Sequence, residues 1–152
     1  MPVTAHPDEH LPAPPGRPRH PRAWLAGAAL LTLVIAAGLG AHEVAQRRDE
    51  RAHDARELTG GDPERAPALM RAYGCAGCHT IPGVRGADGL VGPPLSGFAS
   101  RAYIGGVLLN DPNNLVTWLL NPKAADPKTA MPAVGLTQEQ ARHIAAYLYT
   151  LR

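Results

Sequence analysis

Residues 73–80 read YGCAGCHT, and these eight letters hold both cysteines of a chain of 152 residues. A C-x-x-C pair serves a redox dithiol, half of a zinc site or, when histidine follows directly, a haem attachment point. A dithiol of the thioredoxin kind needs the pair at a helix N-terminus after a strand, in a βαβ setting that lowers the first thiol's pKa. Here helical sequence precedes Cys75 and no strand pattern does. A structural zinc site needs four ligands, usually as two spaced pairs. No second cysteine pair exists, and adjacent Cys78 and His79 are poorly placed to reach one small ion together. In C-x-x-C-H every letter serves the chemistry. The two thiols add to the haem vinyl groups as thioethers, their spacing suits one edge of the macrocycle, and the imidazole turns to the iron.

The frame around the motif supports that reading. Sixteen glycines and sixteen prolines far exceed the usual combined share of about 12%, so the folded part is rich in loops and needs a disulfide, metal or cofactor to hold it. The formal charge is only +2. From residue 58 onward eight Lys/Arg face six Asp/Glu with no basic patch, which gives nucleic-acid binding no support.

Residues 1–22, rich in proline and polar groups, read as a disordered tail. Residues 23–41 carry no charge and, as a helix, span roughly 28 Å, about the thickness of a bilayer core. Arg17, Arg19 and Arg22 precede this span, whereas both signs of charge follow it. The positive-inside rule then puts the tail in the cytoplasm and the rest outside, where c-type haem is attached. A cleaved signal peptide is the competing reading, but the apolar run is long for one and no A-x-A site follows. Trp24 suits the membrane interface. Residues 42–61 read as a charged stalk, either helical, with Glu43 four before Arg47, or an extended linker, and residues 62–152 as the folded domain.

That domain contains three helix signals. Asp62-Pro63-Glu64 opens the first, with Ala66, Leu69, Met70 and Tyr73 on one face and Gly74 closing it. Asp111-Pro112 opens the second, which carries Leu115, Trp118 and Leu119 and stops at Asn121-Pro122. Thr137 to Gln140 form a capping box for the third, followed by Ala141, Ile144, Ala145 and Leu148 at helical spacing. No segment alternates with period two, so the fold expected is all-α.

Iron held by His79 needs a partner on its other face. Met70 lies five residues before Cys75 and reads as core. Met131, in a loop 52 residues after His79, can wrap round the haem and is the expected ligand. His143 competes, but it sits off the apolar stripe of the third helix and reads as solvated. His6, His10, His20, His42 and His53 lie outside the domain.

From residue 62 to 152 the chain resembles a small class I c-type cytochrome: helix, CAGCH, Gly92-Pro93-Pro94-Leu95, middle helix, Met-Pro loop and final helix, in that order. CHTIPGVRGADGLVGPPL is especially similar to cytochromes c of the terminal-oxidase branch, including the domain fused to some oxidase subunits II. The resemblance implies three main helices around one covalent haem c, here preceded by a single transmembrane helix. It implies that the Pro93 carbonyl accepts the His79 Nδ1–H, that Leu95 packs on the haem, and that Arg85 and Trp118 contact haem propionates or the pocket. It also implies an electron carrier, not an enzyme with a small-molecule substrate. The donor would be a quinol:cytochrome c oxidoreductase and the acceptor a terminal oxidase, on the periplasmic side of a bacterial inner membrane. A fixed haem subunit of an oxidase is the alternative. A peroxidase is a further one, but peroxidases of this family carry two C-x-x-C-H motifs.

Overall fold

A computed structural model describes residues 21–152. The expected tail therefore lies outside the described residues except for its last two. Two compact units divide the chain after His42.

In the first unit, helix α1 (Pro21–Thr59) carries the uncharged run, and its side chains are exposed over residues 24–42. Among the described residues α1 is the one helix long and apolar enough to cross a membrane.

The second unit, residues 43–152, begins with the rest of α1. Glu43 and Arg47 form the expected pair, with Arg47 Nε 2.9 Å from Glu43 Oε1. The stalk is helical but not solvated to its end, because Ala55 and Thr59 are buried. Thr59 Oγ1 donates to the Ala55 carbonyl at 2.7 Å and accepts from the Gly61 amide at 3.1 Å. Gly60, at φ +67°, then turns the chain. Gly61 passes so close to the final helix that a Cβ there would lie 2.7 Å from the His143 amide nitrogen and nearer still to the Arg142 carbonyl.

Helix α2 (Ala66–Ala72) starts later than expected. Asp62 does not cap it; its carboxylate accepts from the Glu64 amide at 3.2 Å in a turn that precedes the helix. Gly74 takes φ +76° and α3 (Cys75–Cys78) follows as a single turn. The middle helix α4 (Pro112–Leu120) is capped by Asp111, which accepts from the Asn114 amide at 2.9 Å. A short turn, α5 (Pro122–Ala125), adds to the expected elements, with Asn121 as its cap. The final helix α6 (Gln138–Thr150) carries both bonds of the Thr137/Gln140 capping box.

Helices α2 and α4 both pack on α6. Ala66, Ala141 and Ala145 are fully buried, and such small side chains permit close approach of helix backbones. Met70, Leu115, Ile144 and Leu148 fill the space around them. A two-stranded antiparallel hairpin, β1 (Tyr103–Ile104) with β2 (Leu108–Leu109), joins the helices. The all-α expectation holds for the architecture. The hairpin is too short to leave an alternating pattern, which needs about four residues to be recognised.

His143 departs from its expected solvated state and is only 8% exposed. Its Nδ1 accepts the Asp62 amide proton at 2.8 Å. The linker over Gly61 covers this face of α6, which the apolar core does not reach.

Candidate cofactor site

One cavity of about 580 Å³ opens between the C-x-x-C-H turn, the 91–95 segment, the hairpin, α4, α6 and the loop around Met131. Its wall is mostly apolar, with Leu95, Leu115, Ile144 and Leu148 among its lining residues. Cys75, Cys78, His79, Pro93, Leu95, Trp118 and Met131 all line it. Sequence separations of up to 56 residues are thus brought to one space, from Cys75 to Met131.

The first group is assembled by local hydrogen bonding. Gly74 in the left-handed region lets the chain restart as α3, which presents both partly buried cysteines. His79 caps that turn in extended conformation, its amide bonded to the Cys75 carbonyl at 3.0 Å. The 92–95 segment is laced beside it: Gly92 N–H donates to Cys78 O at 2.7 Å and Leu95 N–H to Thr80 O at 2.8 Å. His79 Nδ1 lies 2.7 Å from Pro93 O. A carbonyl oxygen only accepts, so Nδ1 carries the proton and Nε2 keeps its lone pair for a metal or acid. Gly92 makes this arrangement possible, since a Cβ there would stand 2.7 Å from His79 Nδ1 and closer to the ring carbon beside it.

Burial, together with nearby Cys78, pushes the Cys75 thiol above its ordinary pKa. A dithiol oxidoreductase needs the opposite shift. Among the described residues no three His, Cys, Asp or Glu side chains gather as a metal-holding group, which leaves the thiols without the partners a zinc site requires.

Across the chain, Trp118 is buried in α4 and its indole Nε1–H donates to Met131 Sδ at 3.1 Å. The Met131 amide is itself bonded to Thr129 Oγ1 at 3.3 Å. Thus the thioether is held at its backbone and at its sulfur. Met70 is 1% exposed and packs in the core, although it also lines the cavity.

Arg85 is exposed and is not among the residues that line the cavity. The loop carrying it folds back on itself, with Ile81 N–H bonded to Ala87 O at 3.0 Å and Thr80 bridged to Asp88. Among the described residues Arg101 is the one Lys or Arg that lines the cavity. Its guanidinium donates to the carbonyls of Pro94 and Ser96 and lies 5.4 Å from the Phe98 ring centroid. Gly92, Gly105 and Arg101 are lining residues that sequence reasoning missed. For Gly92 a signal existed, because glycine at a fixed place beside a ligand-bearing turn marks close backbone approach.

The donor set fits a haem. It offers two thiols at one edge, one imidazole nitrogen with a free lone pair and one thioether. The cavity volume is also within the range of about 300 to 1,000 Å³ common for cofactor sites.

The family model described as Cytochrome c matches residues 63–152. "Cytochrome c" of Theileria annulata is 37% identical over 101 residues, covering 58% of this chain and 84% of that protein. "Cytochrome c oxidase subunit 2" of Alkalihalophilus pseudofirmus is 33% identical over 79 residues, covering 51% of this chain and 22% of that protein. The protein of the same name from Bacillus sp. (strain PS3) is 33% identical over 82 residues, 51% of this chain and 23% of that protein. This chain therefore spans less than a quarter of the length of either oxidase subunit.

Proposed function

The chain belongs to the cytochrome c family as a class I c-type cytochrome, and on that premise we propose a membrane-anchored, one-electron carrier with one covalently attached haem c. When bound, the haem supplies an iron centre that cycles between two oxidation states. In this reading Cys75 and Cys78 would anchor the haem covalently, while His79 Nε2 and Met131 Sδ would hold its iron. The observation that carries it is the orientation of these two donors in one apolar cavity: Pro93 engages the imidazole at Nδ1, and Trp118 engages the thioether sulfur.

The surrounding side chains divide the remaining work. Pro93 fixes the tautomer and direction of the imidazole, and such hydrogen bonds behind a ligand tune the metal. A His/Met set would raise the potential and suit electron transfer over oxygen chemistry. Leu95 and the aliphatic wall exclude water. Arg101, the cation of the lining, is the partner for a propionate in place of Arg85.

Residues 23–41 serve as the membrane anchor, with the N-terminus in the cytoplasm and the domain of residues 62–152 in the periplasm of a bacterial cell. The charge asymmetry about the apolar run supports this orientation. The donor is a quinol:cytochrome c oxidoreductase and the acceptor a terminal oxidase, for which the names of the A. pseudofirmus and Bacillus relatives give support. Confinement to the membrane plane raises the effective concentration of such partners. The same relatives favour a second reading, a haem subunit fixed within an oxidase. Gentle solubilisation separates the two: a fixed subunit co-migrates with the oxidase, and a mobile carrier does not.

Spectroscopy of the wild type beside Met131→Ala tests the ligand assignment. The wild type is expected to be six-coordinate and low-spin, and the variant to have a lower potential and to bind small ligands at the iron. An unchanged spectrum and potential in the variant would remove Met131 as ligand. Haem extracted from the wild type by acid solvent would remove the covalent attachment.

A further inference from the structure

The hairpin turn contains two glycines, both at positive φ but in different surroundings. Gly105 has φ +57° and Gly106 φ +77°. At Gly106 nothing lies within 4 Å of an added Cβ. At Gly105 a Cβ would stand 2.7 Å from Trp118 Cζ2 and 2.9 Å from Cζ3, and nearer still to Cη2 between them. The six-membered ring of the indole thus rests directly on the Gly105 backbone. The nitrogen of the same rigid ring system donates to Met131 Sδ at 3.1 Å. Trp118 is 8% exposed, and a closely packed interior leaves a buried ring little room to shift without strain.

We propose that Gly105 is a positioning residue: its missing side chain sets the depth of the Trp118 indole, which aims Nε1–H at the Met131 sulfur and so fixes that thioether in the cavity. This rests on Met131 being the iron ligand. A hydrogen bond from the indole holds the sulfur in place, and by drawing electron density from it would favour the reduced state of a metal it binds. A Cβ at position 105 pushes the ring back, and because the indole is rigid the N–H moves with it. The turn thereby acts on the ligand through one intermediate side chain, and Gly106, in the same turn, does not.

The test compares full-length holoprotein in detergent with Gly105→Ala, Gly106→Ala, Trp118→Phe, the double variant Gly105→Ala/Trp118→Phe, and Met131→Ala. Readouts are reduction potential, imidazole affinity of the oxidised protein and Tm. Gly105→Ala is expected to lower the potential and to bind imidazole about tenfold more tightly, the equivalent of ~1.4 kcal/mol. Gly106→Ala carries similar backbone strain without the contact. It should lose Tm while keeping the wild-type potential and imidazole affinity. Trp118→Phe should match Gly105→Ala, and adding Gly105→Ala to it should change neither readout further. If Gly105→Ala merely tracks Gly106→Ala, the positioning role is wrong; if Met131→Ala leaves spectrum and potential unchanged, the ligand reading is wrong instead. Should Gly105→Ala yield no holoprotein, its accumulation in the Trp118→Phe background supports the contact. Failure of both while Gly106→Ala accumulates overturns it.

Discussion

His79 owes its free Nε2 to a carbonyl and its seat to a glycine. In a Gly92→Ala variant the added methyl group falls on the imidazole, and overpacking of this kind costs typically about 1–3 kcal/mol. Urea unfolding of the holoprotein should show that loss. Tyr149 makes a second expectation at this scale. Its hydroxyl donates to Asn110 Oδ1 at 3.0 Å, and burial, followed by the Asp111 charge, pushes its pKa up to about 12. A phenol whose folded pKa is raised stabilises the fold fully below the unfolded value of about 10 and loses that contribution as pH rises through the folded one. Wild-type Tm should therefore exceed that of Tyr149→Phe below pH 10, and the gap should close between pH 10 and 12. The cysteines and His79 were legible because attachment chemistry dictates their spacing, whereas Pro93, Leu95 and Trp118 were named from the family resemblance and Met131 from the reach of its loop; all seven line the cavity. Arg85 and His143 were not legible, for two different reasons. The first stands exposed on a loop that folds on itself, apart from the residues that line the cavity. The second is covered by a linker whose path no helical wheel reveals.

Elements were legible where their ends are chemically marked. Asp111-Pro112 and the Thr137/Gln140 box begin their helices where the residue types require. Asp62-Pro63 carries the same signature, yet its carboxylate is taken up by the Glu64 amide and the helix starts later. The hairpin stayed hidden because two residues per strand record no period, although Gly105-Gly106 is a turn dipeptide. Replacing Thr137 by Ala removes one bond of the capping box, and such caps contribute about 1 kcal/mol. Because α6 is the helix on which α2 and α4 pack, the loss should appear in global unfolding, as a lower urea midpoint with an unchanged slope.

At the scale of the molecule, the boundary between stalk and domain is where the structure revises the sequence most. Residue 62 begins the domain by composition, but Ala55 and Thr59 are already buried. Arg56 Nη2 lies 3.2 Å from Asp62 Oδ1 and 3.0 Å from Glu64 Oε1, and Arg152 Nη2 lies 3.8 Å from Asp54 Oδ2. A fragment of residues 43–152 should therefore melt as the full chain's haem domain does, while residues 62–152 should melt at least about 4 °C lower, equivalent to ~1 kcal/mol in a domain of this size. Equal melting temperatures would show that these contacts contribute nothing. The cavity walls also come from distant parts of the chain, from Met70 to Leu148. During synthesis the thiols and the imidazole leave the ribosome 52 residues ahead of Met131, at a few to tens of residues per second. Maturation accordingly meets an open half-site, and the last third of the polypeptide is the closure that seals it.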